Sequence, residues 1–422
     1  MSIFSSLFGL VRTLFLVKAF LVFAVNAHAQ NSATPAFLDV VRSVAYAYPQ
    51  TQAAAQGLEA AKQDQSAAAW QRAASPSFQR ISPQGSGTAG QINRLALEQP
   101  IYAGGRITAG IDAAEQRYIA GYYQHQYVAQ ETAIKLINTW YEWQRQKDRV
   151  TTMQEGVEAH HRLRQQIERR AHEGISPEID QALAAARLSQ MQSDQAQAQS
   201  ASSAALALLV QLAADQLPSF DAAALAMPSL PRPTPEWTAL SVARDPQLAK
   251  LGAEQLAAEA DIRVKQAQWH PTLSVIVERN YGSDFAPPHR TWLQVSAQPG
   301  AGLSSLASVR AAVARQESAA EARRSAEREL QQTMATDLAS YIAATEQMGV
   351  ARLLRKSTQD VADSYARQFV AGRKSWIEVL NAVREAIQAR LSVLDARALQ
   401  GQSAWRLHLR TFGLDPIAGN MS

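Results

Sequence analysis

The sequence predicts a mainly helical chain with a membrane β-barrel component, and three observations lead there. Helical periodicity runs without proline for about 65 residues in two places. Four short segments alternate apolar and polar residues in the manner of half-buried strands. The order helix, strand pair, helix pair also occurs twice, with landmarks nearly half the chain apart. A period that long exceeds the roughly 20 to 50 residues of solenoid repeats, so it marks duplication of a domain-sized unit.

The repeat is clearest at two turns. In Arg367-Gln-Phe-Val-Ala-Gly372-Arg-Lys374-Ser375-Trp-Ile-Glu378, glycine closes one helix, because it tolerates the left-handed conformation there. Ser375 and Glu378 have the spacing of a capping box for the next helix. The earlier copy is Arg169-Arg-Ala-His-Glu-Gly174-Ile-Ser176-Pro177-Glu-Ile-Asp180, with Ser176 placed as a cap and Pro177 at the first helical position. Each copy sets an acid six residues after its glycine, Asp180 in the first and Glu378 in the second.

From the start, Arg12 and Lys18, the apolar run 19–25 and Ala27-His28-Ala29 read as a secretory signal over residues 1–29, cleaved before Gln30. Lys18 breaks the apolar stretch and leaves far fewer than the ~20 residues of a spanning helix. The chain has no cysteine. A mature form therefore lacks disulfides and the amino-terminal cysteine of a lipid anchor. The formal charge of +4 includes Arg12 and Lys18. So small a balance, without basic runs interleaved with aromatics, predicts no nucleic-acid partner. The 47% hydrophobic content with only 7% aromatics is the profile of long helices packed through small side chains.

The first repeat is expected over 30–215. Helical spacing covers 36–71 with a break at Pro49; 77–82 and 91–99 form a strand pair around the turn cluster 84–90. Helices follow over 107–172 and 178–214. A proline-rich linker spans 216–238. The second repeat, 239–416, opens with Asp245-Pro246-Gln247, echoing Tyr48-Pro49-Gln50, and has a helix over 254–268. Its strand pair turns at 282–289: Leu273, Val275 and Val277 alternate with polar residues except Ile276, and Leu293 and Val295 alternate with Gln294 and Ser296. A long helical region to 371 and a last helix over 376–412 follow, with a tail at 417–422.

Strands of this length and alternation match membrane strands, but four cannot close and open edges are not tolerated in lipid. Two copies would give eight strands and a barrel filled by side chains, whereas three give twelve and a water-filled lumen. A soluble helical protein with two small hairpins fits the pattern alone as well.

Over its mature length the chain resembles the TolC family of outer membrane channels. The resemblance rests on the duplicated order, on Leu97-Glu-Gln-Pro-Ile-Tyr-Ala-Gly-Gly-Arg106, on Asn138-Thr-Trp-Tyr141 and on the two glycine turns. Residues 367–385 are most similar to the branch serving type I secretion of large surface adhesins. The resemblance implies a homotrimer, with a twelve-stranded barrel in the outer membrane continued by a twelve-helix periplasmic tunnel. It implies as partners a periplasmic adaptor (membrane fusion) protein, an inner membrane ABC transporter and an exported protein. A multidrug efflux role with a proton-driven pump is the alternative, and a periplasmic helical adaptor or structural protein is an alternative of another class. It places Gly174 and Gly372 at the periplasmic tip and implies a closing link between Asp180 and Lys374. Ile179 and Phe369 stand where the family pairs a threonine with a tyrosine, so an apolar contact would replace that bond. Glu378 and Asn381 fall on the entrance ring of acids, of which only Glu378 keeps its charge. Asp180 and Glu378 also fit as simple first-turn acids at helix starts.

No enzyme, cofactor or metal is expected. Glu158-Ala-His-His161 has the spacing of a di-iron motif but lacks the second motif and further glutamates such sites need. Gly104-Gly105 and Gly300-Ala-Gly302 lack the setting of a dinucleotide site and suit strand-to-helix junctions instead. No Ser, His and Asp set occupies a recognisable elbow.

Overall fold

The computed structural model describes residues 37–81, 92–213, 228, 236–281, 288–297 and 304–414. The expected signal segment, both hairpin tips, Gly300 to Gly302, most of the linker and the tail lie outside them.

The chain is α1 (Phe37–Ala47), α2 (Pro49–Trp70), β1 (Ser75–Ile81), β2 (Ile92–Tyr102), α3 (Arg106–His172) and α4 (Glu178–Ala213). The order then repeats as α5 (Glu236–Arg244), α6 (Pro246–Gln266), β3 (Thr272–Tyr281), β4 (His289–Ser296), α7 (Ser304–Val370) and α8 (Trp376–Phe412). The two long helices, α3 and α7, each have 67 residues, about 100 Å at 1.5 Å per residue. Pro49 and Pro246 each open their helix from an extended preceding residue, since proline's missing N–H costs nothing in the first turn. Asp245 caps α6 by accepting the Leu248 N–H at 2.9 Å. Two expectations shift. The helix expected from 254 begins at Pro246, and Glu236 starts a helix inside the stretch read as linker.

α3 is the central strut, packed against α2, α4, α6 and α8, while α7 packs on α6 and α8. Near the middle of the rod, Phe37, Val41 and Val44 of α1 meet Ile137 and Trp140 of α3, Leu209 of α4 and Trp405 of α8. The Phe37 ring stands 5.5 Å from that of Trp140 and 5.3 Å from that of Trp405. The Asn-Thr-Trp-Tyr stretch lies here: the Asn138 carbonyl accepts from Gln402 at 3.2 Å, and Tyr141 packs on Gly401 so closely that a Cβ there would overlap its ring. Ion pairs lace the repeats together: Arg145 to Asp395 at 2.7 Å, Arg390 to Glu155 and Arg117 to Asp261.

The four strands form one antiparallel sheet in chain order. Opposed residues share a face. One face therefore carries Phe78, Leu95, Leu97, Val277, Leu293 and Val295, the last two 60% and 67% exposed. The other carries Arg94, Glu278 and Arg290. Glu278 is only 2% exposed and is held by Arg94 at 3.3 Å and Arg290 at 3.4 Å from the flanking strands. Ile276, the apolar exception on this face, lies opposite Trp292 on β4 and is buried. Strand β2 runs through Pro100 to a register shift before Tyr102, the kind of position where a sheet admits proline. Gly104 and Gly105 follow with φ of 61° and 86°, conformations costly for residues with a Cβ. At Gly104 a Cβ would also run into His270.

The close approach at Gly401 is testable. Gly401→Ala should overpack the contact with Tyr141 and lower stability by about 1 to 3 kcal/mol, measured by thermal unfolding in detergent followed by circular dichroism. Gly57→Ala in α2, with nothing within 4 Å of the added Cβ, should be neutral or raise stability by up to ~1 kcal/mol.

Candidate functional site

Where each long helix turns into its partner, the two repeats build the same joint. Gly174 and Gly372 both have φ of 73°. In the first turn the Gly174 N–H donates to the Ala171 carbonyl at 2.9 Å and the Ile175 N–H to Arg170 at 2.8 Å. In the second, Gly372 donates to Phe369 at 3.0 Å and Arg373 to Gln368 at 2.9 Å. This paired arrangement satisfies the carbonyls a helix end leaves free. The entries to the outgoing helices differ. Ser375 and Glu378 complete a capping box for α8, each bonding the other's backbone N–H, whereas Pro177 lies just ahead of α4, whose first turn holds Glu178 and Asp180.

Leu163, Ile167, Ala184, Phe369, Trp376, Val379 and Leu380 form the apolar core of the tip. Arg170 clamps the two turns together. Its Nη2 donates to the Phe369 carbonyl at 2.7 Å and its guanidinium stacks 4.2 Å from the centre of the Phe369 ring. Sequence reading passes over Arg170 because a basic residue in the last turn of a helix is ordinary dipole compensation. Only the fold brings it to the other repeat. Above the tip, a groove of about 640 Å³ runs between α3, α7 and α8, lined by His160, Leu163, Ala362, Val383 and Ile387 among others.

Of the residues singled out from sequence, the structure joins Lys374 with Glu378. Their atoms are 2.6 Å apart, and the ammonium lies 4.4 Å from the Tyr365 ring centre. Asp180 and Lys374 form no ion pair within the chain. Lys374 lies four residues before Glu378, just ahead of the Ser375 cap, while Asp180 belongs to the other repeat. Nor do Ile179 and Phe369 meet: Phe369 is 3% exposed inside the tip core and Ile179 is 73% exposed. The apolar replacement expected there is instead the enclosure of Phe369 beneath Arg170. Asn381, one turn beyond Glu378, is exposed.

The hydrogen bond from Lys374, followed by those from the Ser375 backbone and hydroxyl, draws the Glu378 carboxyl down to about 2, and the same contact pushes the Lys374 ammonium up. A carboxylate with a depressed folded value stabilises the fold fully above its ordinary value, roughly 4.3, and loses that contribution as pH falls through about 2. At neutral pH the Glu378 charge is thus permanent but compensated by its neighbour. Deeper in the rod, burial pushes Glu131 up, opposed by Arg410, and burial likewise raises Asp245. Among the described residues no three His, Asp or Glu side chains are grouped so as to hold a metal ion. His160 instead bonds the Gly156 carbonyl at 2.8 Å.

Residues 237–409 match the family model described as outer membrane efflux protein. No curated protein matches the chain. Among solved structures the fold is similar to the outer-membrane channel OprN, with TM-score 0.76 and 17% identity over 90% of each chain. It is similar to CusC, solved in a study of transmembrane channel formation, with TM-score 0.75 and 16% identity over 91% of this chain and 95% of that one. A membrane protein from Pseudomonas aeruginosa gives TM-score 0.74 and 18% identity over 90% and 94%. The matched family is one of passive outer membrane channels with a periplasmic tunnel, not of enzymes. Its channels are homotrimers that work with periplasmic adaptors and inner membrane transporters. Among the described residues no helix is long and apolar enough to cross a membrane.

The tip electrostatics generate a pH test. Lys374→Ala removes the largest cause of the Glu378 depression, so the carboxylate should again titrate toward its ordinary range near ~4.3. Followed by NMR with carbon-13-labelled glutamate, the wild-type Glu378 carboxyl should stay charged at pH 3.5, well above its value of about 2, while the variant's should be largely protonated there. Identical Glu378 titration in the two proteins would mean that Lys374 does not hold its charge.

Proposed function

We propose that three copies of this chain, whose second half carries the outer membrane efflux protein match, form a passive export duct. A twelve-stranded barrel crosses the outer membrane and a twelve-helix tunnel crosses the periplasm. The observation that carries this reading is the sheet. Its exposed face is a band of Phe78, Leu95, Leu97, Val277, Leu293 and Val295, while its other face buries Glu278 between two arginines. That is the apolar-out, polar-in division of a membrane barrel. The sheet has two open edges, β1 and β4. With antiparallel pairing throughout, these edges run in opposite directions. β4 of one copy therefore fits β1 of the next as another antiparallel neighbour, and three copies close the ring around an aqueous lumen.

At the other end, the two glycine turns are read as the periplasmic mouth. Arg170 on Phe369 and Lys374 on Glu378 hold each protomer's tip together, and Asp180 and Ile179, unused within the chain, are left to face neighbouring protomers. Glu378 and Asn381 line the entrance. The 29-residue leader directs export, and an adaptor and an inner membrane transporter complete the path.

The cargo is the finer question. Export of a large surface adhesin by type I secretion is favoured by residues 367–385, and drug or small-solute efflux by the description of the matched family. Deleting the gene separates them. Loss of a very large surface protein with unchanged drug tolerance supports secretion, and the reverse supports efflux.

The barrel reading is tested by the two faces of one strand. Leu293→Arg or Val295→Arg should impair assembly of the heat-modifiable trimer, at ~2 to 4 kcal/mol per site near the membrane midplane, while Gln294→Arg should assemble normally. Equal assembly of all three variants would mean that the exposed face does not meet lipid.

A further inference from the structure

The apolar face of the sheet is not apolar to its end. Toward the hairpin tips the register sets Arg80, Asn93 and Tyr281 in one row, then Phe78, Leu95, Arg279 and His289 in the next, and only below these the aliphatic rows of Leu97 with Val277 and Val275 with Leu293. Arg80, Arg279 and His289 are all exposed and all share the face of Val277 and Leu293. At the opposite end of the strands this face carries Tyr102, with no basic residue. The asymmetry has a second side. On the inner face the arginines are paired, since Arg94 and Arg290 share Glu278. On the outer face Arg279 forms no ion pair among the described residues and lies flat against Tyr281, 4.9 Å from its ring centre.

Two guanidinium groups and an imidazole above an aliphatic band, with tyrosine and phenylalanine between them, match a phosphorylated lipid: acyl chains on Val277, Leu97 and Leu293, phosphates at the level of Arg279. We propose that this rim binds the phosphate groups of the outer-leaflet glycolipid. Neighbouring strands lie ~4.8 Å apart. Arg80 and Arg279, two strands and one row apart, are thus ~12 Å apart at their backbones and can grip two phosphates of one headgroup or of adjacent ones. When β4 meets β1 of the next copy, His289 and Arg279 approach the next protomer's Arg80, so the basic rim continues around the barrel. This inference rests on the barrel reading above. Guanidinium suits the role because its planar fork bonds phosphate oxygens in pairs and stays charged at every physiological pH.

The test uses the full-length trimer purified in detergent, with bound lipid read by native mass spectrometry and titration. The probes are diphosphoryl lipid A, its dephosphorylated form and inorganic phosphate. Wild type should retain diphosphoryl lipid A, bind the dephosphorylated form far more weakly and show no displacement by inorganic phosphate, which lacks acyl chains. With each arginine near an anionic lipid surface contributing about a factor of five, the double variant R80Q/R279Q should weaken diphosphoryl lipid A binding roughly 30-fold. R80K/R279K, which keeps the charge, should lose much less. Trimer yield on unheated gels, run in parallel, keeps the two claims apart. A trimer that forms in R80Q/R279Q and binds lipid A as wild type does overturns this proposal while leaving the barrel intact. Displacement by inorganic phosphate assigns a free-anion site and overturns the lipid assignment. A wild-type chain that never assembles into a trimer overturns both.

Discussion

A β-sheet edge is a row of unpaired N–H and C=O groups, and this sheet has two, bounding a face that water does not favour. In lipid each unsatisfied group costs several kcal/mol. The exposed aliphatic rows and the bare edges of β1 and β4 thus create one requirement: more strands, supplied in antiparallel register. On the proposed barrel reading another copy supplies them, its β1 lying against β4. The helices inherit the symmetry of whatever closes the ring. Their small-residue seams, such as the contact of Tyr141 with Gly401, let two rods run side by side closely enough to form a wall.

Much of this architecture is legible in the sequence because it is written in local chemistry. The last helix begins at Trp376 and ends at Phe412 as read, since the Ser375 and Glu378 capping box and Gly413 are local signals. The strands are legible from alternation, and Ile276, which breaks it, is explained by the one fact sequence withholds: its cross-strand partner is Trp292. The helix at Glu236 was hidden by the prolines around it. The start at Pro246 was hidden because Leu248 and Ala253 are too sparse to show periodicity before the fold buries them.

The tip shows the limit more sharply. Its turns could be located to the residue, but not its contacts, because those depend on which repeat lies against which. Lys374 finds Glu378 four residues on, across the Ser375 cap that opens the helix. Phe369 is enclosed by a residue nearly half the chain away, Arg170, that carries no signature. Each turn is thus stabilised within itself, and the two are joined by the Arg170 clamp above a shared apolar core. Among the described residues Glu178 and Asp180, on the outgoing helix of the first repeat, form no ion pair within the protomer.

The equal span of the two long helices has a consequence for how such a chain can vary. Both start next to the sheet and end in identical glycine joints, so their turns finish level. An insertion of a few residues in one alone would push its joint past the other, separate Arg170 from Phe369 and rotate every downstream side chain off its seam. Length can change only by matched, near-integral numbers of helical turns in both halves together. The duplicated chain behaves as a ruler with two scales, and the width it can bridge is inherited in discrete, paired steps.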